Sequence, residues 1–103
     1  MAREALPSRR RSTNVTFRYR NMPVEMQMGF YDDGRLGEIF LNTRMFGSEI
    51  DVIMHDVALA VSIALQHGAT MDELARSAAR AEGGKPDGII SVIADTVNMS
   101  LKT

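Results

Sequence analysis

The stretch "DGRLGEIFLNTRMFGSEIDVIMHDVALAVSIALQHG", Asp33 to Gly68, changes its hydrophobic period partway along, and that change decides the fold class. In "LGEIFLN" (Leu36–Asn42), Ile39 and Leu41 fall on one side of an extended chain and Leu36, Glu38 and Phe40 on the other, the period of a strand. After "RMFG" the period lengthens. Ile50, Ile53, Met54, Val57, Val61, Ala64 and Leu65 follow the i, i+3, i+4, i+7 spacing of an amphipathic helix. Ser48, three residues before Asp51, suits its N-cap, and Glu49 and Asp51 suit the positive end of its dipole. Gly68 suits the left-handed position that ends it.

Toward the N-terminus the two-residue period continues. In "VTFRYR" (Val15–Arg20), Val15, Phe17 and Tyr19 alternate with Thr16, Arg18 and Arg20. "NMP" breaks the run, and "VEMQMGFY" (Val24–Tyr31) puts Val24, Met26, Met28 and Phe30 on one face. Asp33-Gly34 predicts a hairpin with a tight primed turn, positive φ at both central residues. Toward the C-terminus, Thr70 and Glu73 form a capping box for a second helix, whose thin apolar face is Leu74, Ala75, Ala78 and Ala79. Gly83-Gly84 is its expected stop. "KPDG" turns the chain, with Asp87 as the expected N-cap of a third helix carrying Ile89, Ile90, Ile93 and Val97. The expected fold is α+β, a three-stranded antiparallel meander followed by three helices packed on one face. A basic arm (1–13) precedes a single α+β domain (14–103).

The chain has 103 residues, 45% of them hydrophobic, enough for one modest core. It has no cysteine, hence no disulfide, thiolate metal site or cysteine nucleophile. No apolar window is long enough to span a membrane, and the basic N-terminus lacks the apolar region of a secretory signal. A soluble cytoplasmic protein without membrane contact is the default expectation. Charge is unevenly spread. Residues 1–20 hold six arginines against Glu4, a net +5, and the remainder holds six Lys/Arg against twelve Asp/Glu, a net −6. Such an arm can face nucleic acid, an acidic protein or a neighbouring copy, or remain a solvated tail.

His55 and His67 stand twelve residues apart on one helix, about 18 Å along its axis, too far to share a metal. His67 fits a helix-ending role and is kept as a binding candidate, and His55 fits a surface role, so no metal site and no catalytic residue are expected. The carboxylate pairs Asp32-Asp33, Asp72-Glu73 and Glu49-Asp51 are explained by turns and helix starts. "GGKPDG" lacks the phosphate-loop pattern and reads as a loop. "SRRRS" supplies the clearest charged handle, Arg9, Arg10 and Arg11, with Arg18 and Arg20 from "FRYR" beside it. Val52, Leu59 and Ile63 lie outside the helix's apolar stripe, so that helix is apolar almost all round. Each fully buried Val, Leu or Ile contributes roughly 1.5–3 kcal/mol, which makes these three the expected oligomer interface.

At "LPSRR", "DGRLGEIFLN", "GSEIDVIMHDVALAVSIALQHG" and "KPDG" the chain resembles the TSCPD domain, an accessory domain of adenosylcobalamin-dependent (class II) ribonucleotide reductases that also occurs free-standing. The sharpest parts are Gly34-Arg35-Leu36, Glu38 to Asn42, and Ser62 with Ala64 to Gly68. The motif that names the domain is missing, as are the reductase barrel with its cysteines and its cobalamin site. The resemblance implies a non-catalytic accessory module without a cofactor, with Arg35, Glu38 and Asn42 as family-like surface candidates. The leading expectation is an oligomeric module docking on a reductase, another protein or nucleic acid. The alternatives are nucleic-acid binding by the arginine arm and nucleotide sensing at the "GGKPDG" helix start.

Overall fold

The computed structural model describes residues 2–78 and 88–101. Its elements run β1 (Ser12–Tyr19), β2 (Met22–Phe30), β3 (Leu36–Asn42), α1 (Glu49–Gln66), α2 (Met71–Ser77) and α3 (Ile89–Leu101), the expected α+β order. They fall into two compact units, Met1–Gly68 and Ala69–Thr103.

The first unit is a meander with strand order β1-β2-β3, antiparallel throughout. β1 starts at Ser12, so the last two residues assigned to the arm are already paired with Gly29 and Met28. Alternation along the strands buries Phe17, Val24, Met26, Met28, Phe30, Ile39 and Leu41 on one face. The second hairpin turn differs from expectation. The primed turn is at Arg20-Asn21, with φ of 50° and 66°. At Asp33-Gly34 only Gly34 is left-handed, with φ 94°. There the Gly34 N–H donates to the Tyr31 carbonyl and the Tyr31 N–H to the Arg35 carbonyl, both at 2.9 Å. This is an ordinary turn closed by a glycine bulge, and the register shifts beside it, between Gly29 and Phe30. The reason is local: the Asp33 carboxylate accepts from the Arg35 backbone N–H at 3.1 Å, a contact that competes with a primed turn.

α1 packs against β3. Ser48 caps it, accepting from the Asp51 N–H, and Gly68 follows it at φ 102°. Its buried face is Asp51, Met54, Ala58, Val61, Ser62, Leu65 and Gln66. Ile53, assigned to the core stripe by periodicity, is instead 54% exposed. The helix is turned so that polar residues enter the interior, because β3 presents backbone groups that need partners.

In the second unit, Thr70 and Glu73 form the full reciprocal capping box of α2. α2 ends at Ser77, well before the glycine pair expected to stop it. Met71 is its one buried residue, and so short a helix with so little packing has weak support for further turns. In α3, Ser91, Ile93, Ala94 and Val97 are buried. Ala79, Gly83-Gly84 and Asp87, with most of "GGKPDG", lie outside the described residues. No helix among the described residues is long and apolar enough to cross a membrane.

Candidate functional site

The site is built around β3, whose inner edge pairs with β2 and whose outer edge lies under α1. Three buried polar side chains of α1 or its start close that outer edge. Ser62 Oγ accepts from the Ile39 N–H at 2.9 Å and donates to the Ile39 carbonyl at 3.1 Å. Gln66 Nε2 donates to the Gly37 carbonyl at 2.9 Å. Asp51 accepts from the Thr43 hydroxyl at 2.9 Å and, more weakly, from the Thr43 N–H at 3.4 Å. The Thr43 hydrogen bond is the main reason the Asp51 carboxyl sits below its ordinary value, against the opposing effect of desolvation. His55, one turn on, lies 3.6 Å from Asp51 and is otherwise exposed.

The N-terminal segment, expected as a free basic arm, is strapped across this edge. Arg3 Nε donates to Gln66 Oε1, and the Glu4 N–H donates to the Gln66 carbonyl at 2.8 Å. The Tyr31 hydroxyl donates to the Glu4 carbonyl at 2.6 Å. Arg35 holds the Glu4 carboxylate with both terminal nitrogens at 3.0 Å, reaches Asp33 at 2.7 Å, and lies 4.5 Å from the Tyr31 ring centre. Those carboxylates raise the Arg35 pKa, Glu4 most, while the Arg35 backbone N–H chiefly lowers that of Asp33. Leu6 stands over Gly37, where a side chain would collide with it and with Tyr31.

The structure therefore separates the arginines that the sequence groups together. Arg10 forms an ion pair with Glu38, which is 9% exposed, and also donates to the Pro7 carbonyl at 2.6 Å. Arg11 lies over the Phe30 ring at 4.8 Å. Arg9 is exposed and, among the described residues, has no hydrogen bond or ion pair. Arg18 donates to the Asn21 carbonyl, and Arg20 lies against Tyr19 with its Nε 3.1 Å from the hydroxyl. Asn42 is exposed at the end of β3, opposite Glu25. His67 is the C-cap of α1, its backbone N–H shared between the Ile63 and Ala64 carbonyls at 3.1 Å each.

The outer face of α1 carries exposed apolar side chains. Val52, Ile53 and Leu59 are each more than half exposed, and Ile63 about a third. Leu59 and the exposed Phe40 of β3 flank a groove of about 600 Å³, floored by Ile39, Leu41 and Ala58. Arg3, Glu38 and His55 stand at its rim. The arrangement offers apolar contact with a few polar groups for orientation. Among the described residues no three His, Asp or Glu converge as a metal site would need.

Glu38 and Arg35 enter the site from the family-like motif and Arg10 from the arginine run, but the pairing of Arg10 with Glu38 and the parts played by Glu4 and Gly29 do not show in any local pattern. Gly29 is needed because the Glu38 carboxylate crosses it and would collide with any side chain there. Asp51, Ser62 and Gln66 left one usable signal in the sequence. They are polar residues that share the buried face of α1 with Met54, Ala58, Val61 and Leu65.

Known proteins resemble this chain in a limited region. Over 71 residues it is 38% identical to a vitamin B12-dependent ribonucleotide reductase of Bradyrhizobium diazoefficiens, covering 69% of this chain and 6% of that protein. The corresponding protein of Agrobacterium fabrum is 34% identical over 71 residues, again 69% of this chain and 6% of the relative. That of Rhodopirellula baltica is 37% identical over 70 residues, 68% of this chain and 7% of the relative. The chain thus corresponds to a small part of these much longer proteins. No solved structure matches it. The TSCPD domain, however, matches residues 3–101, from the arginine that holds Gln66 to the last described residue of α3. With that span covered, the chain belongs to the TSCPD domain family.

Proposed function

We propose that this chain is a non-catalytic binding module that docks onto a larger protein through the outer face of α1, the partner being a chain of the B12-dependent ribonucleotide reductase type. The observation that carries this reading is the apolar surface formed by Val52, Leu59 and Ile63, with Ile53 beside them and Phe40 across the groove. Burying three such side chains is worth several kcal/mol, roughly 1.5–3 for each when fully covered, and a surface of this kind marks an interface. The relatives support the choice of partner, since in them the matching segment is a small part of a reductase polypeptide. The chain has no cysteine, so it has no thiol with which to take part in chemistry itself. The separation of Arg9, Arg10 and Arg11 favours protein docking over nucleic-acid binding. Arg10 is neutralised by Glu38, and Arg11 rests on Phe30.

Direct binding to a purified B12-dependent ribonucleotide reductase from the same source tests this. Binding that persists at high salt, and that Leu59→Asp weakens about tenfold without lowering Tm, is the expected result. No binding at about 100 µM, or binding indifferent to Leu59→Asp, overturns it. Salt-sensitive binding lost in the Arg9/Arg10/Arg11→Ala variant would instead assign the interaction to the arginine segment.

A further inference from the structure

β1 and β3 are the two edge strands of the sheet, and they end in different ways. The edge of β3 is closed by Ser62, Gln66 and Asp51. The register shows what the edge of β1 offers. Ile39 gives both backbone groups to Ser62, so Glu38, Phe40 and Asn42 are the residues of β3 bonded to Gly29, Gln27 and Glu25. By alternation, Met22, Val24, Met26 and Met28 bond to Tyr19, Phe17, Val15 and Thr13. The N–H and C=O groups of Ser12, Asn14, Thr16 and Arg18 therefore face outward. No hydrogen bond from the described residues reaches those backbone groups, and all four residues are exposed. Exposed edges are usually guarded by short length, lysine, proline or a bulge. β1 is eight residues of regular pairing without proline, and its one charged residue is Arg18 near the end.

We infer that β1 is a self-pairing edge: two copies of this chain join β1 to β1, antiparallel, about a two-fold axis at Val15, to form one six-stranded sheet. The outward set is symmetric about that residue. Ser12 faces Arg18 of the second copy and Asn14 faces its Thr16, so all four outward residues are used, with about eight backbone hydrogen bonds. Any other antiparallel self-register that preserves the bonding pattern leaves outward residues unpaired. No like charges oppose each other within the strand, and Asn14 and Thr16 can also bond through their side chains. On the core side the two half-buried Val15 residues meet on the axis. Because the strand complements itself, the occupant is a second copy and not an unrelated peptide. The docking face on α1 lies along the opposite edge of the sheet, so this inference stands independently of that reading.

The chain has no cysteine, so a single introduced one reports the register directly. At the axis the paired Cα atoms would be about 4.5 Å apart, within disulfide range. In the full chain under a glutathione buffer, Val15→Cys is expected to form a disulfide dimer about tenfold faster than Thr13→Cys, although Thr13 is the more exposed of the two. Equal rates, or faster cross-linking through Thr13→Cys, would overturn the proposed register. Sedimentation from about 1 µM to about 1 mM should show a monomer–dimer equilibrium for the unmodified chain. Asn14→Lys/Thr16→Lys places lysines opposite one another and should weaken it about tenfold, and mixing with Asn14→Glu/Thr16→Glu should restore pairing. Thr16→Pro removes an outward N–H without touching the β1–β2 ladder and should act in the same direction. A strict monomer throughout overturns the inference, as does a dimer that Leu59→Asp abolishes and the β1 substitutions leave intact.

Discussion

A methyl group added at Gly29 would enter the space held by the Glu38 carboxylate, and Glu38 cannot move aside without releasing Arg10. Gly29→Ala should therefore destabilise the fold by about 1–3 kcal/mol. Shortening the opposing side chain in Gly29→Ala/Glu38→Ser should recover part of that loss in a denaturant titration, and additive effects would argue against the collision. Ser62 serves both backbone groups of Ile39. Ser62→Ala should cost about 1–3 kcal/mol, visible as a lower midpoint with an unchanged slope. Asp51 gives a pH signature. Its carboxyl lies below the ordinary 3.8, chiefly through the Thr43 hydroxyl. A carboxyl whose folded pKa is depressed stabilises the fold above its unfolded value, and this contribution fades as pH falls through the folded value. Tm should thus lose the Asp51 contribution only at pH below about 4, and Asp51→Asn should flatten that acid limb. The linear sequence marks Asp51 as a helix-start charge and Ser62 as part of a family-like motif, but not what they hold, because each acts on a group in another element or loop: Gly29 on Glu38, Ser62 on Ile39, Asp51 on Thr43.

The strands were legible because each has one dry face, and alternation records that asymmetry directly. The turns were less so. Asp33-Gly34 carries the residues of a primed turn, but the Asp33 contact to the Arg35 N–H makes it a bulged turn, while the primed geometry fell to Arg20-Asn21. The rotation of α1 was also hidden, since a helix apolar on most sides gives periodicity no preferred face. Its polar residues decided the matter: Asp51, Ser62 and Gln66 face β3, and Ile53 is left outside. α2 was recognised by its capping box but not by its length. That box is a large share of what holds so short a helix, so Thr70→Ala should cost about 1 kcal/mol and reduce amide protection in Met71–Ser77. Unchanged exchange there would mean that packing and not the cap supports α2.

The first unit as a whole is a sheet with two unlike edges, one closed by its own helix and one to which the described residues bring no hydrogen bond. The family-like residues helped to locate the closed edge, since Arg35 and Glu38 both anchor the N-terminal strap beside it. What no sequence pattern conveyed was the strap itself, because Arg3, Glu4 and Leu6 sit in a segment without periodicity. The strap also has an optical consequence. The chain has no tryptophan and two tyrosines, so its near-ultraviolet signal is simple. Tyr31 is buried with its hydroxyl on the Glu4 carbonyl, and burial, with Glu4 adding to it, raises its pKa above the ordinary 10.0. The neutral phenol is thus favoured by folding, a stabilisation present below the unfolded pKa and lost as pH rises through the folded one. Alkaline titration of Tyr31 absorbance should shift toward 10.0 when residues 1–5 are removed, which makes one phenol a built-in gauge of whether the strap is seated.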